Sequence, residues 1–353
     1  MKLLAAISHH GLGHLAQAGP VLNALREIRP DLDLTVWSGL PRAALERRLC
    51  FAFSHRAEAA DVGLLMADAI KVDVAASVAA YRDFHRDWAD RIEREALWLR
   101  SAGFQGVFSD VAHLPLAAAR HAGLPAIALC SLNWRDIAAA YLEGVEGMDV
   151  TLPQIEMAYR DTDIFLRPLP SMPMAWLDNT ESVAPIAALG VNRRSELAER
   201  FGIGRDSKAV LVGFGGIGYH AALPKIPGVT WVAPDDWDDG RPDLIRFGDT
   251  CMPFLDLLAS SDGMLTKVGY GSFVEALAHA VPVVYIDRPD WPETPFLADW
   301  LTREGRGLSM GEADLQSGRL AEILDRLWRM PAKPAVLADG AEIVARRMLE
   351  LLD

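Results

Sequence analysis

The first 37 residues carry the pattern that most limits the fold of this chain. Lys2–Ile7 is almost wholly apolar, which is typical of a strand buried on both faces of a parallel sheet. A glycine-rich turn follows, then a helical pattern over residues 15–28 that stops at Pro30, then a strand-like run at Leu32–Trp37. This order predicts a β-α-β unit.

The same alternation continues along the chain and predicts doubly wound α/β architecture. With 353 residues, the chain is long enough for two such domains. The further predicted strands cover 106–110, 125–129, 209–212, 229–232, 263–265 and 282–286, and the predicted helices cover 75–100, 114–121, 252–259, 272–280 and 335–352.

A proline-rich run at Arg167–Pro173 interrupts the alternation, because proline fits neither a helix interior nor a central strand. We therefore expect an N-terminal Rossmann-like domain at 1–167, a linker at 168–185 and a C-terminal Rossmann-like domain at 186–334. The last segment, 335–353, is predicted to be a helix that can pack back on the first domain.

Composition narrows the class of protein. Hydrophobic residues make up 51% of the chain and charged residues 24%, the balance of a well-packed globular protein. The formal net charge of −13 opposes binding to nucleic acid. No apolar run reaches the ~20 residues of a membrane span, and the start does not read as a signal peptide. Three widely spaced cysteines indicate neither disulfides nor a metal site, so a cytoplasmic location is expected.

The first glycine turn, Ser8–His14, lies between a predicted strand and helix. Gly11 and Gly13 let the backbone approach a ligand closely, and the helix N-terminus favours a polar or anionic group. His14 stands where the chain enters the helix, and His9 and His10 flank the turn. A tight turn with a capping histidine is the alternative, but three histidines together favour a functional site.

The second glycine turn, Gly213–Gly218, matches the Gly-x-Gly-x-x-Gly pattern of dinucleotide sites, and Asp235 follows about 20 residues later. An NADH-dependent oxidoreductase is therefore one candidate. Pro224 and Pro227 argue against it, because they leave little room for the helix that such a site requires.

The third glycine turn, Thr266–Ser272, lies between a predicted strand and the helix at 272–280. Backbone N–H groups at a helix N-terminus suit an anion such as a diphosphate. Glu275 allows two interpretations. Ser272 and Glu275 can form a capping box, or Glu275 can accept from a ribose diol.

The third turn resembles the nucleotide-sugar signature of GT-B glycosyltransferases. In the transferase that adds N-acetylglucosamine to the peptidoglycan precursor, a glycine-rich loop leads into a helix with Ser/Thr-x-x-Glu, followed by Gly/Ala-x-Pro, as at Ala280–Pro282 here. The chain is more similar still to the N-terminal glycosyltransferase-like domain of plant L-arabinokinases. That similarity lies in Lys267–Gly271, Glu275–Ala278, Glu293–Leu297 and Cys130–Trp134.

The first turn, Gly11–Leu15, is similar to the Gly-x-Gly-His turn of plant UDP-glycosyltransferases. In that family the histidine is the base that deprotonates the acceptor hydroxyl, and an aspartate after a later strand orients it. The resemblance implies these roles for His14 and Asp110. Where relatives carry Asp/Glu-Gln for the donor sugar, this chain has Asp290–Thr294, so the identity of the sugar is left open.

These resemblances imply a GT-B fold, with two Rossmann-like domains facing across a cleft. They also imply an inverting, metal-independent transferase that moves a sugar from a nucleoside diphosphate sugar, expected to be a UDP-sugar, to a hydroxyl acceptor. No other cofactor is expected. The implied base and its partner are His14 and Asp110. The expected donor-side residues are Gly215, Gly216, Lys267, Gly269, Tyr270, Gly271, Ser272, Glu275 and Glu293, and the expected acceptor-side residues are Gly11, Gly13, His10 and Trp134.

Two further classes of function remain open at this point. A nucleotide-sugar epimerase or hydrolase on the same fold consumes the donor without an acceptor. A catalytically silent nucleotide-sugar sensor or scaffold binds the donor without turnover. The sequence is equally compatible with a small acceptor and with a lipid-linked one reached by peripheral membrane contact, and it does not set the oligomeric state.

Overall fold

The computed structural model describes residues 1–68, 70–215, 219, 221–237, 240–316 and 318–352, with the backbone alone described at Gln316. The chain divides into two compact units. The first comprises Met1–Ala67, Lys71–Ile186 and Ala338–Asp353, and the second comprises Asp68–Ile70 and Ala187–Leu337. The expected site residue Gly216 lies outside the described residues.

The first unit is built on a seven-stranded sheet in which every strand pair is parallel. The strand order is β3-β2-β1-β4-β5-β6-β7, so the direction of winding reverses between β1 and β4. The strands are β1 (Lys2–Ile7), β2 (Asp33–Trp37), β3 (Ser54–Arg56), β4 (Gly106–Asp110), β5 (Ala126–Leu129), β6 (Ile164–Pro168) and β7 (Thr180–Val183).

Seven helices in the described part of the chain connect these strands, and one expected helix is divided in two. The continuous stretch expected over 75–100 is broken at Arg86 and Asp87, and Asp73 caps the first of the two helices by accepting from the Ala76 N–H. The helices are α1 (Gly13–Ile28), α2 (Arg42–Glu46), α3 (Val74–His85), α4 (Trp88–Ser101), α5 (His113–Ala122), α6 (Trp134–Leu142) and α7 (Met148–Arg160).

The second unit repeats the plan with six parallel strands in the order β10-β9-β8-β11-β12-β13. Its strands are β8 (Lys208–Gly213), β9 (Val229–Ala233), β10 (Leu244–Arg246), β11 (Gly263–Lys267), β12 (Val283–Ile286) and β13 (Gly307–Met310). Its helices are α8 (Arg194–Phe201), α9 (Phe247–Thr250), α10 (Phe254–Ala259), α11 (Tyr270–Ala278), α12 (Thr294–Glu304), α13 (Glu312–Gln316) and α14 (Leu320–Arg329), with a 3-10 turn at Asp235–Trp237.

The segment expected to be an interdomain linker, 168–185, is part of the first unit. It contains β7, which pairs in parallel with β6 and extends the first sheet by one strand. The proline-rich run lies before that strand, because a connection between neighbouring strands can hold prolines that a strand interior cannot. The first unit therefore continues to Ile186.

The final helix, α15 (Gly340–Leu352), belongs to the first unit. Val344, Ala345 and Met348 are fully buried in the same apolar cluster as Leu3 and Leu22. Leu3 belongs to β1 and Leu22 to α1. Because alternate residues of a strand face opposite sides of the sheet, one face of β1 packs against α1 and α15. No helix in the described ranges combines the length and the apolar character needed to cross a membrane.

Candidate functional site

The turn after β1 and the end of β4 meet where the winding of the first sheet reverses. Ile7 lies opposite Asp110 in the parallel register, and the Ser8 N–H donates to the Asp110 carbonyl at 3.2 Å. Ligands of open α/β sheets bind beyond the carboxyl ends of the strands at such a point. The residues singled out in the first unit therefore lie at the usual ligand edge of this sheet.

His14 and Asp110 form a buried hydrogen-bonded pair at this edge. His14 is the second residue of α1, and its Nδ1 lies 2.9 Å from Asp110 Oδ1. Both residues are buried, and burial raises the pKa of Asp110 although the hydrogen bond with His14 opposes this rise. With its Nδ1–H donated to the carboxylate, a neutral imidazole keeps a lone pair on Nε2, which can accept a proton.

Val111, directly after Asp110, holds an unusual backbone conformation. Its φ of 64° lies in the left-handed region, which a β-branched residue rarely adopts. The Val111 carbonyl accepts from the Tyr159 hydroxyl at 2.7 Å, which fixes the turn that follows Asp110. Strain of this kind costs on the order of 1–3 kcal/mol and persists where the surrounding structure fixes it, frequently at functional sites.

Cys130, the first residue after β5, places its Sγ 3.7 Å from His14 Nδ1. In the described part of the chain, His14, Asp110 and Cys130 are the one group of such side chains placed to hold a metal ion, with ligand atoms within 4.8 Å of one another. An ion held there would have to replace the hydrogen bond between His14 and Asp110. These atoms can therefore bind a metal ion or form the hydrogen bond that orients the His14 imidazole, but not both at once.

The other residues expected on the acceptor side belong to the same turn or lie close to it. Gly11 has a φ of 84°, and a Cβ added at Gly11 or Gly13 would meet no atom within 4 Å, so the space beside the turn is open. The ring of Trp134 lies 5.0 Å from that of His10 and 5.5 Å from that of His14. Trp134 is fully buried, so it packs against the histidines rather than offering an exposed stacking face.

Asp61 also lies beside these residues, although no pattern in the sequence predicted it. Its carboxylate is buried, accepts from Trp134 Nε1 at 2.7 Å and lies 3.5 Å from His9 Nδ1. Burial alone would raise the pKa of Asp61, but hydrogen bonding and charge from His9 lower it. The hydrogen bond with Asp61 raises the pKa of His9. Asp61 and His9 thus form a second acid–imidazole pair beside Trp134.

In the second unit, Gly215 and the residues expected on the donor side in the third glycine turn follow β8 and β11, the two strands between which the winding of the sheet reverses. Thr266 lies opposite Gly213, and its hydroxyl donates to the Gly213 carbonyl at 2.6 Å. Gly215 has a φ of 79°, and a Cβ added there would come within 4.0 Å of Lys267 Cε. The structure therefore brings Gly215 and Lys267 together, although they come from different turns.

The helix after the third glycine turn begins two residues earlier than expected. Because α11 starts at Tyr270 with Gly269 as its N-cap, Ser272 lies inside the first turn and does not cap the helix. Its hydroxyl is instead hydrogen-bonded to Thr266 Oγ1 at 3.3 Å. The capping-box interpretation of Ser272 and Glu275 is therefore wrong, and Glu275 is a buried carboxylate one turn into α11.

Three charged side chains act on one another beside this turn. Burial, together with the nearby charge of Arg288, lowers the pKa of Lys267 to about 8, while Glu293 opposes the shift. Arg288 is buried, and its guanidinium lies 4.4 Å from the centre of the Trp291 ring. Arg288 was missed from the sequence, although a charged residue just after the apolar strand β12 was a usable signal.

In the described residues, no helix directly follows the dinucleotide pattern at Gly213–Gly218. Gly216, Ile217 and Gly218 lie outside the described residues, and between β8 and β9 the described residues contain no helix. A dinucleotide fingerprint requires a helix that starts at its glycines. Asp235, the acidic residue that this pattern would assign to the ribose, accepts a hydrogen bond from the Gly248 N–H at 2.8 Å.

Two relatives are similar to this chain in sequence. L-arabinokinase of Arabidopsis thaliana is 28% identical over 357 aligned positions, which cover 98% of this chain and 34% of the kinase. An uncharacterized glycosyltransferase of Methanopyrus kandleri is 24% identical, with 74% of this chain and 80% of that protein covered. The chain thus spans about a third of the length of the Arabidopsis relative. No family model matches the chain.

Solved structures match the whole chain. The glycosyltransferase of kitacinnamycin has a TM-score of 0.65 at 15% identity and covers 100% of this chain and 99% of its own. Phytolacca americana UGT2, in complex with UDP-2-fluoro-glucose and pterostilbene, scores 0.58 at 16% identity, covering 100% and 94%. S. aureus MnaA, solved with UDP, scores 0.60 at 11% identity, covering 99% and 97%. The expected architecture is confirmed: the chain has the GT-B glycosyltransferase fold, built from two Rossmann-like parallel sheets.

Proposed function

We propose that this chain is a glycosyltransferase that moves a sugar from a UDP-sugar to a hydroxyl acceptor, with inversion and without a metal ion. The observation that carries the proposal is the buried His14–Asp110 pair at the ligand edge of the first sheet. Fold alone does not assign a reaction. A histidine base oriented by a carboxylate is, however, the machinery that deprotonation of a hydroxyl requires.

The second unit supports the proposal with a site suited to a diphosphate. Lys267 and Arg288 provide cationic groups, and the N-terminus of α11 adds backbone N–H groups and the positive end of the helix dipole. Gly215 and Gly269 leave room for the close approach of phosphate oxygens. We assign Glu275 to the ribose hydroxyls and Glu293 to the sugar.

We favour UDP as the nucleotide because two solved structures with the same fold contain UDP or a UDP-sugar. Phytolacca americana UGT2 was solved with UDP-2-fluoro-glucose and an acceptor, and S. aureus MnaA with UDP. Both share the fold of this chain over nearly its full length. The acceptor in the first of these complexes, pterostilbene, belongs to that protein and does not define the acceptor here.

The proposed step is a direct displacement at the anomeric carbon of the donor sugar. His14 Nε2 takes the proton of the acceptor hydroxyl as the acceptor oxygen forms a bond to the anomeric carbon. The bond from that carbon to the diphosphate oxygen breaks, and UDP leaves with the electron pair. Asp110 stabilises the imidazolium, and Lys267 and Arg288 stabilise the charge that develops on the diphosphate. Attack opposite the leaving group inverts the anomeric centre.

The proposal predicts that UDP release from a UDP-sugar depends on an acceptor. Purified chain is incubated with UDP-glucose, UDP-galactose or UDP-xylose and a panel of hydroxyl compounds, with and without EDTA. We expect acceptor-dependent UDP release that EDTA does not reduce, and a product whose anomeric configuration by NMR is opposite to that of the donor.

The same assay separates the alternatives. Donor consumption at the same rate without any acceptor would indicate a hydrolase or an epimerase. Loss of activity in EDTA that Mg²⁺ or Mn²⁺ restores would contradict metal independence. A product with the configuration of the donor would contradict inversion and, with it, the assignment of His14 as base in a single displacement.

A further inference from the structure

A third side chain lies beside His14 and Asp110 and has no part in the proposed chemistry. Cys130 is the first residue after β5, and β5 pairs with β4 so that Leu129 lies opposite Asp110. The fold therefore places Cys130 at the edge of the sheet where Asp110 lies. We call His14, Asp110 and Cys130 the Cys130 cluster; all three residues are buried.

The polar atoms of the Cys130 cluster are all close to one another. His14 Nδ1 lies 2.9 Å from Asp110 Oδ1 and 3.7 Å from Cys130 Sγ. The thiol also reaches the carboxylate, because its hydrogen bond, like that of His14, opposes the rise that burial causes in the pKa of Asp110. One imidazole nitrogen, one carboxylate oxygen and the sulfur lie within 4.8 Å of one another. Three different metal-ligand atoms therefore converge on one point.

These separations are close to those around a tetrahedral ion. Zinc binds histidine nitrogen and carboxylate oxygen at about 2.0–2.1 Å and cysteine sulfur at about 2.3 Å. At the tetrahedral angle, such bonds place the nitrogen about 3.6 Å from the sulfur and about 3.3 Å from the oxygen. The distances of 3.7 Å and 2.9 Å in this chain differ from those values by about 0.1 Å and about 0.4 Å. Small side-chain shifts are therefore enough for the three atoms to bind one ion.

The ligand types select the kind of ion. Thiolate and imidazole suit Zn²⁺ and Co²⁺, whereas Mg²⁺ and Ca²⁺ prefer oxygen ligands. A thiol is a weak hydrogen-bonding group, so a water molecule would gain little from Cys130. Gln17, one turn after His14 in α1, donates through Nε2 to Cys130 Sγ at 3.7 Å, and its Oε1 accepts from the Ser131 N–H at 3.0 Å. Such a partner outside the ligand shell orients a metal ligand and stabilises a thiolate.

We propose that the Cys130 cluster binds Zn²⁺ or a similar transition-metal ion, and that the bound ion inhibits sugar transfer. The inhibition rests on the proposed function, whereas the binding is a separate claim. As the ion binds, the Cys130 thiol loses its proton to solvent, and His14 Nδ1 and the Asp110 carboxylate exchange their hydrogen bond for bonds to the ion. The neutral imidazole then carries its proton on Nε2. The lone pair that would take the proton of the acceptor hydroxyl is thereby lost.

The first test measures metal binding without turnover. The full chain is treated with EDTA, desalted and titrated with Co²⁺, whose bond to a thiolate gives a charge-transfer band in the near ultraviolet. We expect one equivalent of Co²⁺ to produce the band and Zn²⁺ to remove it. Cys130→Ala should abolish the band and weaken Co²⁺ binding by more than the roughly 10- to 100-fold that loss of an outer partner costs. Cys50→Ala, at an exposed cysteine, should behave as the native chain does.

The second test compares UDP release from a UDP-sugar with and without Zn²⁺. Cys130→Ser keeps the side-chain shape in case Cys130→Ala does not fold, and it should also lose the Co²⁺ band. Zn²⁺ should lower the rate of the native chain and leave the rate of Cys130→Ser at its own metal-free value.

The proposal is overturned if the native chain shows no Co²⁺ band, if the Cys130 variants keep the band, or if Zn²⁺ binds without lowering the rate. Equal inhibition of the native chain and Cys130→Ser would also overturn it, because the ion would then act elsewhere. A Co²⁺ band that depends on Cys130, in a chain that transfers no sugar without metal, would support the metal site and reject the proposed function. Metal-free transfer by a chain that binds no Co²⁺ would do the opposite.

Discussion

His14→Ala should lower kcat for sugar transfer by about 10²–10⁴-fold, the usual contribution of a positioned general base. The reason is that Asp110, a buried carboxylate 2.9 Å from His14 Nδ1, orients this imidazole so that the Nε2 lone pair can accept a proton. UDP affinity should not change, because the groups assigned to the diphosphate belong to the second unit. Steady-state kinetics with saturating donor and a calorimetric UDP titration measure the two quantities.

Two variants serve as controls for this prediction. His121→Ala removes an exposed histidine near the end of α5 and should leave kcat unchanged. Asp110→Asn keeps the size of the side chain but can present an amide N–H to Nδ1, which favours the wrong tautomer, so kcat should fall here as well. Full activity in His14→Ala would show that another group is the base.

Lys267→Met should weaken UDP binding by about 10- to 150-fold, the range expected when a hydrogen bond to a charged group is lost. The native chain should also show pH-dependent binding. The pKa of Lys267 is about 8 in the unliganded protein, and a bound diphosphate must raise it. Binding above pH 8 therefore takes up a proton, so UDP affinity should be constant well below pH 8 and fall as the pH rises beyond it.

Lys267→Arg tests the effect of a positive charge at this position separately from the loss of that charge at high pH. Arginine remains protonated throughout this range, so the variant should keep much of the affinity and lose the decline above pH 8. Lys208→Met is the matched control, since Lys208 lies at the opposite end of β8 and pairs with Asp262 at 3.4 Å. Calorimetric titrations of UDP from pH 6.5 to 9.5 test all three variants. An unchanged pH profile in Lys267→Met would exclude Lys267 from the diphosphate site.

The fold was predictable because its signals are local and repeated. Apolar runs such as Lys2–Ile7 and Val283–Ile286 indicate strands of parallel sheets, and the glycine turns mark where helices follow. The strand β7 within 168–185 was not predictable, because prolines before an edge strand look the same in the sequence as prolines between domains. The break at Arg86 and Asp87 was hidden for a similar reason: neither residue is a strong helix breaker.

The candidate site was predictable in part. His14 and Asp110 follow strands that the sequence indicates, and the structure brings them into contact; their catalytic roles remain predictions. Asp61 lies in an irregular stretch without periodicity, so nothing in the sequence shows that it reaches Trp134 and His9. Ser272 shows the opposite case. The local pattern of a capping box was present, but the helix begins earlier at Tyr270.

The most direct test of the account is binding of nucleotides to the full chain. Thermal unfolding is followed with UDP, dTDP, GDP, CMP and NADH, each with the native chain and with Glu275→Ala. We predict that UDP, at about a hundred times its dissociation constant, stabilises the native chain by about 2.7 kcal/mol and that Glu275→Ala loses most of this gain. Stabilisation by NADH, with none from any nucleoside diphosphate, would contradict the assignment of a nucleotide-sugar site.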